Sequence, residues 1–234
     1  MNVALIPARG GSKSILKKNI IDLAGKPLIF YTIDIALKSS LIDKVIVSTD
    51  SNEIKEISLS CGAEVPFIRP EEYSNDSAND FVVVKHLIDW FFNKNVKVPD
   101  SIIYLRPDFP FRKLAILNNA ISKFNKDVNA DGLRSVAISK EIPFKTWKVE
   151  DKYLCSVIDY KNIKDPHNSP RQLFPKTYWP VGYIEIYSSK NVIEQNTLSG
   201  EKMIPFLIKD EYVNIGSIDD LEFAQEFLKT FNFD

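Results

Sequence analysis

Along the first half of the chain, short apolar runs alternate with longer segments whose apolar residues recur every three or four positions. Residues 2–7 form a continuous buried-strand pattern that runs into a polar, glycine-bearing loop over 8–19. Residues 27–38 show helical spacing, with proline at the first turn, where a helix tolerates it. Residues 44–48 predict a second strand, and 50–61 a helix that Gly62 can end. A third strand is expected over 64–68, a long helix over 79–93, a fourth strand over 101–105 and a further helix over 112–124. Four strand-then-helix units predict an α/β fold, a mainly parallel central sheet with helices on both faces.

Beyond about residue 133 the pattern changes. Short β-rich runs at 134–138, 146–149 and 183–187 are separated by proline-rich turns. They predict an antiparallel extension on the sheet or a dimerisation arm, about 134–190, inside a single domain spanning 1–234. Tyr178, Trp179 and Tyr183 offer that arm an aromatic contact surface. Ser217, Asp219 and Asp220 predict the cap and acidic first turn of a closing helix over 217–230.

Composition removes several function classes. Hydrophobic residues make up 44% and charged residues 26%, the balance of an ordinary globular protein. With 30 Lys+Arg against 31 Asp+Glu, net charge is −1, so no electrostatic case exists for nucleic acid or a membrane surface. No stretch approaches the roughly 20 apolar residues that span a bilayer. The first apolar run meets Arg9 and two glycines too soon for a signal peptide, and a cytoplasmic location is expected. Cys61 and Cys155 are too far apart for a disulfide framework or zinc site and are expected as reduced buried thiols. His86 falls on an apolar-periodic helix as a core histidine, and His167 falls in a polar turn.

Open α/β sheets bind ligands outside the carboxyl ends of their strands. The loop after the first strand reads Ala8-Arg9-Gly10-Gly11-Ser12-Lys13, followed by Lys17-Lys18-Asn19. Its glycines let backbone N–H groups approach an anion, Ser12 adds a hydroxyl, and four cations can grip phosphate. The loop matches neither the dinucleotide fingerprint nor the P-loop pattern.

Residues 6–13 with Lys18-Asn19 resemble the signature loop of the acylneuraminate cytidylyltransferases, which make CMP-activated sialic and related nonulosonic acids. Further matching segments are Val47-Ser48-Thr49-Asp50-Ser51, Arg69-Pro70-Glu71-Glu72, residues 105–112, Pro170-Arg171-Gln172 and Gly200-Glu201-Lys202. The resemblance implies a glycosyltransferase-A-like nucleotidyltransferase fold, a homodimer, and attack of an acceptor oxygen on the α-phosphorus of a nucleoside triphosphate. It implies that Arg9, Ser12, Lys13, Lys18 and Asn19 hold the triphosphate, with Ala8, Gly10 and Gly11 in the same loop, and that Arg69 lies near the base. Arg106, Lys145, Arg171 and Gln172 would meet an anionic sugar. Arg9, Lys18 and Asp108 would carry the catalysis with Mg²⁺ or Mn²⁺.

Several positions depart from the family pattern. Where the family carries two metal-binding aspartates in V-D-I-D-T, this chain has Val213-Asn214-Ile215-Gly216-Ser217. Asp108, where the family has threonine, becomes the metal candidate, with Asp219 or Asp220 second. Ser14 replaces a glycine and Leu16 a proline in the signature loop, and serine is costly where φ is positive. Asp80 falls near the base and could accept the paired N–H donors of guanine. The leading expectation is CMP transfer from CTP to a nonulosonic acid. Its alternatives are guanylyl or cytidylyl transfer to a sugar 1-phosphate or other phosphorylated acceptor, and a non-catalytic sugar-nucleotide-binding homologue.

Overall fold

The computed structural model describes residues 1–12 and 14–232. Its strands are β1 (Asn2–Pro7), β2 (Asp22–Leu23), β3 (Lys26–Pro27), β4 (Lys44–Ser48), β5 (Ser101–Tyr104), β6 (Gly132–Ile138), β7 (Trp147–Glu150), β8 (Tyr153–Ser156), β9 (Tyr178–Ser188) and β10 (Met203–Leu207). The helices are α1 (Leu28–Lys38), α2 (Asn52–Ser60), α3 (Asp80–Asn93), α4 (Leu114–Lys126), α5 (Ser189–Gln195) and α6 (Ile218–Leu228). Six strands form the main sheet in the order β10-β6-β9-β5-β1-β4. Three of its five neighbour pairings are parallel; β9 runs against both β5 and β6.

Buried Ala4 and Ile6 of β1 face α1 and α4, while Val3 and Leu5 face α3, so β1 is covered on both sides as its unbroken apolar run requires. Phe111, Leu28, Val213, Ile215 and Leu221 build a third cluster that seats α6. Among the described residues no helix is long and apolar enough to cross a membrane. Both cysteines are free, and they are half-buried rather than buried.

The expected strand at 64–68 is reduced to a single bridge between Ile46 and Glu64. Pro66 has no N–H to continue a ladder, and Glu64 makes the last regular bonds, its N–H donating to the Val45 carbonyl at 2.8 Å. The β-rich region divides in two. β6 and β9 are interior strands of the main sheet, whereas β7 and β8 form a separate hairpin with exposed side chains along both strands. Tyr178 and Trp179 are exposed, but Tyr183 is buried, because β9 has by then entered the sheet; the Tyr183 hydroxyl donates to the Phe111 carbonyl.

His86, expected in the core, is half-buried beside it. Its ring lies edge-on to Phe67 at 4.5 Å, and Nδ1 is buried without a hydrogen bond. Burial, then the nearby Arg69 charge, hold its pKa below the ordinary 6.5. A depressed histidine pKa contributes stability in full above the unfolded value and loses it as pH falls through the folded one. The urea midpoint should therefore fall between pH 7 and pH 5.5, and His86→Phe should flatten that part of the profile. An unchanged slope in His86→Phe would show that other groups carry the pH dependence.

Candidate active site

The loop leaving β1 is pinned at three points before it can meet a ligand. The Ala8 N–H donates to the Ser48 carbonyl at 2.9 Å, and the Gly10 N–H to Asp50 Oδ1 at 2.7 Å. From the far end, the Asn19 amide donates to the Arg9 carbonyl at 2.9 Å. Ala8 and Asn19 are buried, so they shape the loop, and the Ala8 N–H is already committed to the strand. Gly10 passes so close to α2 that a Cβ there would stand 3.1 Å from Ser51 Cβ, whereas Gly11 faces open space. Lys17, with φ 53°, adopts the left-handed conformation within this loop. Lys13 lies outside the described residues.

This loop, the segment before α3 and the loop after β5 enclose a cleft of about 430 Å³. Arg9, Ser12, Lys18 and Asn19 line it with Arg69, Asp80, Arg106 and Asp108. Eight of the sequence-predicted residues therefore converge. Among the described cations lining the cleft, Arg9, Lys18 and Arg106 have carboxylate partners, and Arg69 has a hydroxyl. Arg9 Nη1 reaches Asp76 Oδ1 at 2.9 Å, and Lys18 Nζ reaches Asp108 Oδ2 at 2.8 Å. Arg69 is buried, donates through Nε to Ser74 Oγ at 2.9 Å, and has its pKa lowered by burial, with Asp50 opposing the shift.

Arg106 and Asp80 are bound to one another. Arg106 Nη1 donates to Asp80 Oδ1 at 3.0 Å and Nη2 to Oδ2 at 2.7 Å, while the Tyr104 hydroxyl donates to Oδ1 at 2.7 Å. Burial raises the Asp80 pKa, but the Arg106 hydrogen bonds and charge, with Tyr104, outweigh it and hold the carboxyl below the usual range. A base reaching Asp80 would have to compete with Arg106 and Tyr104 for its oxygens. Gly182, at φ 79°, lets β9 pass beneath Arg106, where a Cβ would come within 3.3 Å of Nε.

The metal question turns on Asp108. No group of three or more His, Cys, Asp or Glu side chains that could hold a metal ion occurs among the described residues. The Ile215 N–H donates to the Asp108 carbonyl at 2.9 Å, so Asn214 and Gly216 flank Asp108 directly. Asp220 is committed elsewhere: its Oδ2 accepts from the Gly216 and Ser217 N–H groups and the Ser217 hydroxyl, closing the α6 capping box. Mg²⁺ is commonly held by one or two carboxylates together with substrate phosphates, and Asp108 meets that requirement with a single carboxylate.

Lys145, Arg171 and Gln172 lie apart from this cleft. Arg171 and Gln172 line a separate groove with Phe174, and Lys145 Nζ sits 5.7 Å from the Phe174 ring. Three residues passed over by the sequence reading bear on the site: Asp76 lines the cleft, Glu185 binds Arg106 behind it, and Arg134 meets Glu185. Glu185 accepts from Arg106 Nη2 at 2.9 Å across 79 residues of chain, and no local spacing signals that contact.

The sequence profile of the cytidylyltransferase family matches residues 3–169. The pseudaminic acid cytidylyltransferase of Campylobacter jejuni is 34% identical, over 97% of this chain and 96% of its own. The CMP-N,N'-diacetyllegionaminic acid synthase of Legionella pneumophila is 30% identical over the same shares. Among solved structures, a CMP:2-keto-3-deoxy-manno-octonic acid synthetase complexed with CTP superposes with a TM-score of 0.70, at 17% identity and 98% of each chain. That likeness is one of fold, a nucleotidyltransferase of the glycosyltransferase-A type.

Proposed function

Since this chain belongs to the cytidylyltransferase family, we propose that it transfers CMP from CTP to a nonulosonic acid and releases pyrophosphate. The observation that carries the reading is the convergence of Arg9, Ser12, Lys18 and Asp108 at one cleft beyond the ends of β1 and β5. An acceptor hydroxyl oxygen attacks the α-phosphorus, the bond to the pyrophosphate oxygen breaks, and the hydroxyl proton passes to water. Arg9 and Lys18 exchange their carboxylate partners for phosphate oxygens and stabilise the charge that accumulates on the leaving group. Arg69 lies at the opposite wall, near the base. A divalent cation such as Mg²⁺ or Mn²⁺, held by Asp108 together with the phosphates, would supply further charge neutralisation.

The exposed Trp147, Tyr153 and Leu154 of the hairpin, and the exposed Trp179 of β9, support the reading of this region as an arm that pairs two copies into a homodimer. Lys145, Arg171 and Gln172 ride on that arm and contribute to sugar recognition from it. A cytoplasmic location suits an enzyme supplied with CTP.

Pyrophosphate release tests the reading, with CTP, GTP, UTP or ATP and Mg²⁺ or Mn²⁺. The acceptor panel contains pseudaminic, diacetyllegionaminic and neuraminic acids beside sugar 1-phosphates. Turnover is expected with CTP and one of the acids. Turnover confined to sugar 1-phosphates, or CTP binding without any turnover, would replace it with one of the alternatives.

A further inference from the structure

Arg106 is the arginine that the family resemblance sets beside the acceptor, yet both of its terminal nitrogens already donate to carboxylates. Besides Asp80, it meets Glu185, whose Oε2 also accepts from the Tyr187 hydroxyl at 2.8 Å. Two carboxylates already face this one cation. A third, arriving on a sugar acid, would have to compete with both of them for Arg106.

The charge is balanced by Arg134. It stands on β6 directly opposite Glu185 of β9, and opposed residues of an antiparallel pair share one face of the sheet. Arg134 Nε lies 3.1 Å from Glu185 Oε1, buried and without a well-formed hydrogen bond. The side chain is 33% exposed, and its terminal nitrogens have no hydrogen-bond partner among the described residues. Glu185 thus anchors the stem of a guanidinium whose fork is open.

The sheet order gives this fork its direction. β1, which leads into the phosphate-gripping loop, is followed by β5, whose following loop carries Arg106, then β9 with Glu185, then β6 with Arg134. Two strand spacings, roughly 10 Å, separate β6 from β5, comparable to the length of a monosaccharide acid. A planar carboxylate takes two parallel N–H bonds from such a fork.

We infer that Arg134 receives the carboxylate of the acceptor, while Arg106 is a positioning residue that holds Asp80 and Glu185. This rests on the proposed transfer to a nonulosonic acid. The test compares kcat/KM for the free acid and for its carboxamide in the wild-type protein, Arg134→Met and Arg134→Lys, with CTP affinity measured separately.

The wild type should prefer the acid by about tenfold or more. Arg134→Met should lose that preference with CTP affinity unchanged, and Arg134→Lys should recover part of it. Arg134→Met retaining the preference would overturn the inference, as would equal use of acid and carboxamide by the wild type. If Arg134→Met does not fold, Arg134→Lys decides: an undiminished preference there overturns the inference, since lysine cannot reproduce the fork. Inactivity of the wild type with every acid would instead remove the proposed function itself.

Discussion

Replacing Arg112 by methionine is expected to cost about 3–5 kcal/mol of folding stability, the largest effect of any single substitution outside the apolar core. Its guanidinium is completely buried and has no carboxylate partner. Oxygen atoms replace one: Nε donates to the Tyr183 carbonyl at 2.7 Å, Nη1 to Phe109 at 2.6 Å and to Thr32 Oγ1 at 3.0 Å, and Nη2 to the Arg106 carbonyl at 2.8 Å. The Phe109 and Tyr183 rings lie 5.7 and 5.4 Å from the cation. Burial pulls the pKa down to about 10, which leaves the group charged at neutral pH.

Methionine fills the volume but withdraws the guanidinium's bonds from four acceptors in a site that excludes water, leaving the Arg106 carbonyl only the long bond from the Phe109 N–H at 3.4 Å. Lysine should not rescue the protein, because one ammonium cannot span the geometry of the fork. Thr32→Val, which removes one of the four bonds, should cost only about 1 kcal/mol. Urea titrations at constant slope measure all three. A midpoint for Arg112→Met close to that of Thr32→Val would mean that the loop from Arg106 to Arg112 is held by something else.

The second large effect concerns turnover. Lys18→Met should lower kcat by about two to three orders of magnitude, the usual loss when one preorganised charge leaves a phosphoryl-transfer site. Its neighbour Lys17 supplies the control. Lys17 Nζ pairs with Glu53 at 2.7 Å on the exposed side of the loop, away from the cleft lining, so Lys17→Met should change kcat less than threefold. Equal losses in the two variants would mean that general loop charge, rather than the placement of Lys18, drives catalysis. A cycle with Asp108→Asn completes the comparison: partners 2.8 Å apart should show non-additive losses.

Much of this was readable before any coordinates. β1, α1, β4 and α3 follow from unbroken or helical apolar patterns, and the side chains of Ser51, Asn79 and Ser217 cap their helices as their residue types predict. The cleft residues around Arg9 and Lys18 were legible because they follow one strand in a short, charged, glycine-bearing loop. Pro66 spoiled the third strand although its neighbours are apolar. α5 and β10 were missed because a seven-residue helix and a five-residue strand carry too few periods to stand out. The Asp80–Arg106–Glu185–Arg134 network could not be read at all. It depends on which strands are neighbours and on their register, and a lone Glu in an apolar run looks like a misplaced surface residue.

The pairing of Arg9, Lys18 and Arg106 with carboxylates alters how the cleft meets CTP. Their charges are internally cancelled at rest, so these three side chains project only a weak long-range field and add little to electrostatic steering. Entry of the triphosphate is a swap of anions around fixed cations. Added salt weakens the contacts broken and the contacts formed alike. Nucleotide affinity should therefore depend less steeply on ionic strength than three arginine and lysine side chains would imply, and the protein keeps its hold on CTP in a crowded ionic medium.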